Sequence, residues 1–189
     1  MVAEILQYFS DDIKIYNIEA DAIYSGIIID TNNFTAKTGV RTFEAAAFLR
    51  RCGADVTRVR KMFRDDVKSY RAKAEAIRHV ETYKYCFAIA VCPSEGIDSP
   101  TVVASQAANE LLNVDSIKAT FVLTDYQGKI YISARAIDEV NVQLIMEKMG
   151  GGGHINMAGA QLPGVSVEEG IRQLKNTIDK MIKEGDIEV

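Results

Sequence analysis

Met149-Gly150-Gly151-Gly152-Gly153-His154-Ile155-Asn156-Met157-Ala158-Gly159-Ala160-Gln161 is the stretch around which the chain is organised. Four successive glycines carry no side-chain chemistry. They admit φ > 0 and let a ligand come close to bare backbone N–H groups. Consecutive N–H groups in such a loop make a concave anion site, and His154 adds a donor at its end. Glycine also gives up more conformational entropy on folding than any other residue, so four in a row need a reason. Two readings fit the run: a flexible turn between a helix and a strand, or a loop that holds a phosphate or nucleotide.

Outward from this run the chain reads as alternating strand and helix. Upstream, Asn141 opens a helix through Val142, Leu144, Ile145 and Met149, and Ile132-Ser133-Ala134-Arg135 ends a strand. Downstream, residues 158–162 read as a strand closed by Pro163-Gly164. A last helix follows behind the capping box Ser166-Val167-Glu168-Glu169, with Val167, Ile171, Leu174, Ile178, Met181 and Ile182 as its apolar stripe. Further upstream, the unbroken apolar run Tyr85–Cys92 reads as a buried strand. Ser99-Pro100 starts a helix. Two strands near 119–125 and 129–135 are joined by a turn at Asp125-Tyr126-Gln127-Gly128. The order β-α-β-β-α-β-α predicts a mixed α/β sheet with packed helices.

The first half is helical in pattern. Val2, Ile5, Leu6 and Phe9 predict a helix over 1–10 with no capping lead-in, which fits a native start or a chain cut from something longer. Ser10-Asp11-Asp12 and Thr38-Gly39 read as turns. A helix is expected from Glu19 to about Asp30. Asp30 then stands in Ile29-Asp30-Thr31-Asn32-Asn33-Phe34, either as a metal ligand or as part of a C-terminal turn with local side-chain hydrogen bonds. Thr42 is expected to cap a helix that stops near Gly53, Asp55 the next, and a longer helix runs from about Asp65 to Val80.

Composition narrows the classes of function. The chain has 189 residues, 48% apolar and 25% charged, enough for one domain or two small ones. Its net charge of −4 gives no global signal for nucleic acid. Residues 50–84 nonetheless hold eleven of the 22 basic residues, a pattern of either a polyanion-facing surface or solvated helix faces. Cys52, Cys86 and Cys92 have no metal-type spacing and read as reduced thiols in a cytosolic setting. No apolar stretch is long enough to span a bilayer, and no signal peptide opens the chain, so it reads as soluble, with a membrane anchor still open for a longer parent.

Two stretches together resemble a known family. Ile27–Phe34 followed by Thr38-Gly39-Val40-Arg41-Thr42-Phe43 resembles the last motif of a DHH phosphoesterase domain. Ile132-Ser133-Ala134-Arg135, then Asn141-Val142-Gln143 and the Gly-Gly-Gly-Gly-His run, resembles the DHH-associated domain that follows it. Order and spacing agree over essentially the whole chain with the GdpP (YybT)-type cyclic-di-AMP phosphodiesterases. The resemblance implies residues 1–62 as the mostly helical end of a DHH domain, 63–83 as a connecting helix, and 84–189 as a mixed-sheet substrate-binding domain. It further implies an active site in the cleft between the halves, two manganese ions, and hydrolysis of cyclic di-AMP to the linear dinucleotide pApA. A homodimer and a membrane-anchored parent with this region facing the cytoplasm belong to the same expectation.

Carried over by position, Asp30 matches the family's final metal-binding aspartate and Arg135 a phosphate-contacting arginine. Gly151, Gly152, Gly153 and His154 match its substrate loop, and Asn141 and Ser133 lie in the same motif as further substrate contacts. His154 is also open to a turn role or to proton transfer. The family's other metal ligands, a His-x-Asp-x-Asp motif, a separate Asp and the Asp-His-His itself, are absent: the only histidines are His79 and His154. One carboxylate cannot hold two divalent ions. The chain is therefore expected to carry no complete catalytic set, to need the missing N-terminal half of the DHH domain, and to be inactive alone. Two alternatives stand beside this: an oligoribonuclease or RecJ-like exonuclease acting on short linear strands, and a non-catalytic nucleotide-binding module.

Overall fold

A computed structural model describes residues 1–9, 14–35, 38–137 and 140–187, so the turn expected at Ser10-Asp11-Asp12 lies outside the described residues. The chain divides into two compact units, Met1–Arg64 and Asp65–Val189.

The first unit packs α1 (Val2–Phe9), α2 (Asn17–Asp30), α3 (Val40–Arg51) and α4 (Val56–Met62) around Ala20, Tyr24, Ala46, Leu49 and Val59. Local hydrogen bonds set the helix starts. α2 opens two residues before Glu19, because the Tyr16 N–H donates to Glu19 Oε2 at 2.8 Å. α3 begins at Val40 behind an extended Gly39 rather than at Thr42. Thr42 lies inside the first turn, and its Oγ1 accepts from the Gly39 N–H at 3.3 Å. Asp55 caps α4 as expected, accepting from the Arg58 N–H at 2.8 Å. One ion pair ties α4 back to α2: Arg58 Nε donates to Oδ2 of the buried Asp21 at 2.6 Å.

The second unit runs α5 (Val67–Arg78), β1 (Glu81–Tyr83), β2 (Phe87–Val91), α6 (Pro100–Leu111), β3 (Ala119–Tyr126), β4 (Lys129–Ala136), α7 (Val142–Lys148), β5 (Gly152–His154), β6 (Met157–Pro163) and α8 (Val167–Glu184). The six strands form one sheet in the order β1-β2-β3-β4-β6-β5. β2 and β3 are parallel across α6, and all other pairs are antiparallel. The expected strand over 85–92 is shorter at its start. Lys84 and Tyr85 adopt left-handed backbone (φ 50° and 66°) and fold β1 back onto β2. α5 starts at Val67 because Asp66, not Asp65, accepts from the Lys68 and Ser69 N–H groups, while Asp65 pairs with Lys73. The β3–β4 turn is the two-residue Gln127-Gly128, both at positive φ, so Asp125 and Tyr126 remain in the ladder.

The two sheet faces differ. Phe121, Leu123, Ile130 and Ile132 point to one face and bury against Ile145, Leu174 and Ile178 of α7 and α8. On the other, α5 and α6 cover β2 and β3, with Ala104, Ala107 and Leu111 against Ala88, Ala90 and Val122. α6 also reaches β4, while the β6–β5 end of that second face has no helix over it among the described residues, and its side chains stay partly exposed.

Candidate functional site

Register decides which residues share this open face. Along β4, burial alternates strictly, so Tyr131, Ser133 and Arg135 stand together on the side away from α7 and α8. Directly opposed residues of paired strands lie on one face. Three rows result. Ser133, Gly159 and Gly152 form the middle one, Arg135, Met157 and His154 flank it on one side, and Tyr131 with Gln161 flank it on the other. Small residues thus floor a groove between two walls of larger ones. A pocket of about 450 Å³ opens over this floor on the Tyr131–Gln161 side, lined among others by Thr101, Ser133, Gly151 and Gly152; Arg135 and His154 stand outside its lining.

Arg135 is held by α6. Its Nε donates to Asn109 Oδ1 at 3.0 Å, its Nη1 to the Ala134 carbonyl at 2.8 Å, and its Nη2 to Ser105 Oγ. A guanidinium has five N–H donors in a rigid plane. Three are spent on positioning, which leaves one on Nη1 and one on Nη2. Burial lowers the pKa of Arg135 by stripping water from its charge. Among the described residues no carboxylate compensates it. A fixed, partly desolvated guanidinium with two spare donors suits an incoming phosphate or carboxylate.

The glycine run is more ordered than a loop. Gly150 sits at φ 77° after α7, its N–H bonded to the Glu147 carbonyl at 3.0 Å, while the Gly151 N–H reaches the Met146 carbonyl at 2.8 Å. This is the paired capping pattern of a helix C-terminus. Two of the N–H groups expected to cradle an anion are therefore spent on α7. Gly152, Gly153 and His154 form the edge strand β5 instead. Gly151 and Gly153 are also close-packing positions: a Cβ on Gly151 would lie 2.1 Å from the Gly159 carbonyl oxygen, and one on Gly153 2.4 Å from that of Met157. Gly152 alone of the four has neither positive φ nor any atom within 4 Å of where a Cβ would stand, and it floors the groove.

The remaining expected residues separate. Ser133 lies in the groove. His154 is exposed at the end of β5 on the Arg135 side, two strand spacings or roughly 10 Å away by backbone. Asn141 caps α7, its Oδ1 accepting from the Gln143 and Leu144 N–H groups at 3.1 and 3.3 Å, which gives it a structural task. Asp30 is the exposed last residue of α2 in the other unit. The turn behind it is built without its carboxylate: Thr31 Oγ1 donates to the Ile27 carbonyl at 2.7 Å and accepts from the Phe34 N–H at 3.0 Å. Among the described residues no three His, Cys, Asp or Glu side chains gather as a metal site. The residues present thus do not fit a two-ion centre.

Ser105, Asn109, Tyr131 and Gln161 were not singled out by sequence reasoning. Tyr131 shares the two-residue period of Ser133 and Arg135, so its face was readable from β4 alone. The others meet the site only through tertiary register. The basic window of 50–84 straddles both units, and Arg58, Lys73 and Lys84 in it already pair with Asp21, Asp65 and Asp179. Among the described residues no helix is long and apolar enough to cross a membrane.

Comparison with known proteins follows the same division. The DHHA1 domain family matches residues 83–184. Cyclic-di-AMP phosphodiesterase GdpP of Bacillus subtilis (strain 168) is 42% identical over 187 residues, 98% of this chain and 28% of that protein. Cyclic-di-AMP phosphodiesterase PdeA of Listeria monocytogenes serotype 1/2a (strain 10403S) is 40% identical over 180 residues, 95% of this chain and 27% of that protein. The chain therefore spans little more than a quarter of the length of these relatives. Among solved structures, an exopolyphosphatase-related protein from Bacteroides fragilis matches 88% of this chain and 51% of its own with a TM-score of 0.78. At 20% identity that likeness is one of fold.

Proposed function

The chain belongs to the DHHA1 domain family, and from that premise we propose that it is the substrate-recognition portion of a phosphodiesterase that hydrolyses cyclic di-AMP to pApA. The observation that carries this reading is Arg135, fixed by Ser105, Asn109 and the Ala134 carbonyl with one N–H spare on each terminal nitrogen and no carboxylate beside it among the described residues. Those two donors take a phosphate of the dinucleotide. The Ser133–Gly159–Gly152 floor lets its backbone approach, and His154 offers a ring donor from the same side. The GdpP and PdeA relatives support the choice of substrate.

In this reading the two manganese ions belong to motifs upstream of this chain, with Asp30 adding one ligand, and recognition by the second unit depends on no metal. The longer parent is a membrane-anchored homodimer with this region in the cytoplasm. Calorimetric titration of the chain with cyclic di-AMP, with and without manganese, tests the recognition step. Binding is expected in both conditions, and Arg135→Ala should weaken it by roughly tenfold or more, as for loss of a bidentate charged contact. Equal affinity in wild type and Arg135→Ala would overturn the reading.

A further inference from the structure

The groove has a second wall that phosphate binding does not use. Tyr131 and Gln161 face each other across β4 and β6, one row beyond the small-residue floor. Tyr131 is partly buried, and its ring lies 6.3 Å from that of Tyr126 at a tilt of 52°. Gln161 is exposed, and Lys129 Nζ lies 3.5 Å from its Oε1. That contact is long and solvent-exposed, so the amide is free to present Oε1 as an acceptor and both hydrogens on Nε2 as donors. Arg135 stands four residues from Tyr131 on the same strand, about 13 Å at the usual rise. A nucleotide is shorter than this backbone span, so side chains reaching inward from the two positions can meet its two ends.

We propose that Tyr131 and Gln161 form a base subsite that takes a 6-aminopurine, a proposal that rests on the reading of Arg135 as the phosphate anchor. Tyr131 offers a flat surface for stacking, which favours any base. Gln161 supplies the choice. Adenine presents an N6–H donor beside its N7 acceptor, and a side-chain amide meets both, Oε1 accepting and Nε2 donating. Guanine presents two acceptors, O6 and N7, so in either orientation a bidentate amide would set Oε1 against one of them with no proton between. The glycines at 152 and 159 keep the space between base and phosphate clear of side chains.

The test is titration of the wild-type chain and its variants with cyclic di-AMP and cyclic di-GMP, with thermal melts to check folding. Wild type should prefer cyclic di-AMP by roughly tenfold or more. Gln161→Leu should bring that ratio close to one, chiefly by weakening cyclic di-AMP. Tyr131→Leu should weaken both ligands by about tenfold, whereas Tyr131→Phe should keep both. An unchanged ratio in Gln161→Leu, or wild-type affinity in Tyr131→Leu, would overturn the base subsite. Arg135→Ala separates the two claims. If it weakens both ligands while Gln161→Leu leaves the ratio intact, only the base subsite falls. If Arg135→Ala has no effect, or wild type binds neither ligand, the phosphate reading falls and the subsite with it.

Discussion

Gly151 and Gly152 are neighbours in one run, yet a methyl group meets different surroundings at each. At Gly151 it would sit 2.1 Å from a backbone oxygen of β6, which cannot move without disturbing the ladder. Gly151→Ala should therefore destabilise by about 1–3 kcal/mol, the range of overpacking, seen as a lower melting temperature. At Gly152 the space is open and φ is ordinary, so Gly152→Ala should stay within about 0.5 kcal/mol of wild type in stability. The same methyl narrows the groove floor between Arg135 and Tyr131, and affinity for cyclic di-AMP should drop by roughly tenfold. Melts and titrations of both variants check this. Wild-type binding by Gly152→Ala would show that no ligand group comes close to the floor. The four-glycine pattern does not tell which glycine packs against β6 and which lies open on the groove floor. That distinction depends on β6, which the local sequence does not contain.

Helices α2 and α4 are joined through the Asp21 carboxylate, which accepts from Arg58 Nε and Nη2 and from the Asp55 N–H. The Arg58 guanidinium first, and the Asp55 N–H second, hold Asp21 below the usual carboxylate range. A depressed folded pKa contributes stability that is present above the unfolded value of about 3.9 and is lost as pH falls through the folded value. Asp21→Asn should accordingly melt below wild type at neutral pH, with the gap closing as pH drops under about 4. Helical circular dichroism across pH 2–7 reads it, and a pH-independent gap would assign Asp21 a packing role instead. At this scale the sequence was most legible. Asp55, Ser166 and Asn141 all cap the helices they precede, because a cap is satisfied by N–H groups two or three residues away. β1 was missed because Glu81-Thr82-Tyr83 has no apolar pattern and becomes a strand only by pairing with β2.

The described chain is two units, of which the second carries the groove proposed for recognition and the first the candidate metal ligand Asp30. The relatives are more than three times longer, and the carboxylate and histidine motifs of a two-metal centre are absent from these 189 residues. The chain with added manganese is therefore expected to show no hydrolysis of cyclic di-AMP, followed by separation of substrate from pApA. Manganese-dependent turnover by the purified chain would sink that expectation. By itself the sequence determined the order of the longer strands and helices, the caps at Asp55, Asn141 and Ser166, the inward and outward alternation of β4 and the family, since period, capping and motif spacing are properties of neighbouring residues. Tertiary structure alone decided that the glycine run ends as an edge strand, that Ser105 and Asn109 aim Arg135, and that Tyr131 and Gln161 face it across a floor of small residues. Those relations join segments distant along the chain, and only the register of β4, β6 and β5 and the docking of α6 bring them to one surface.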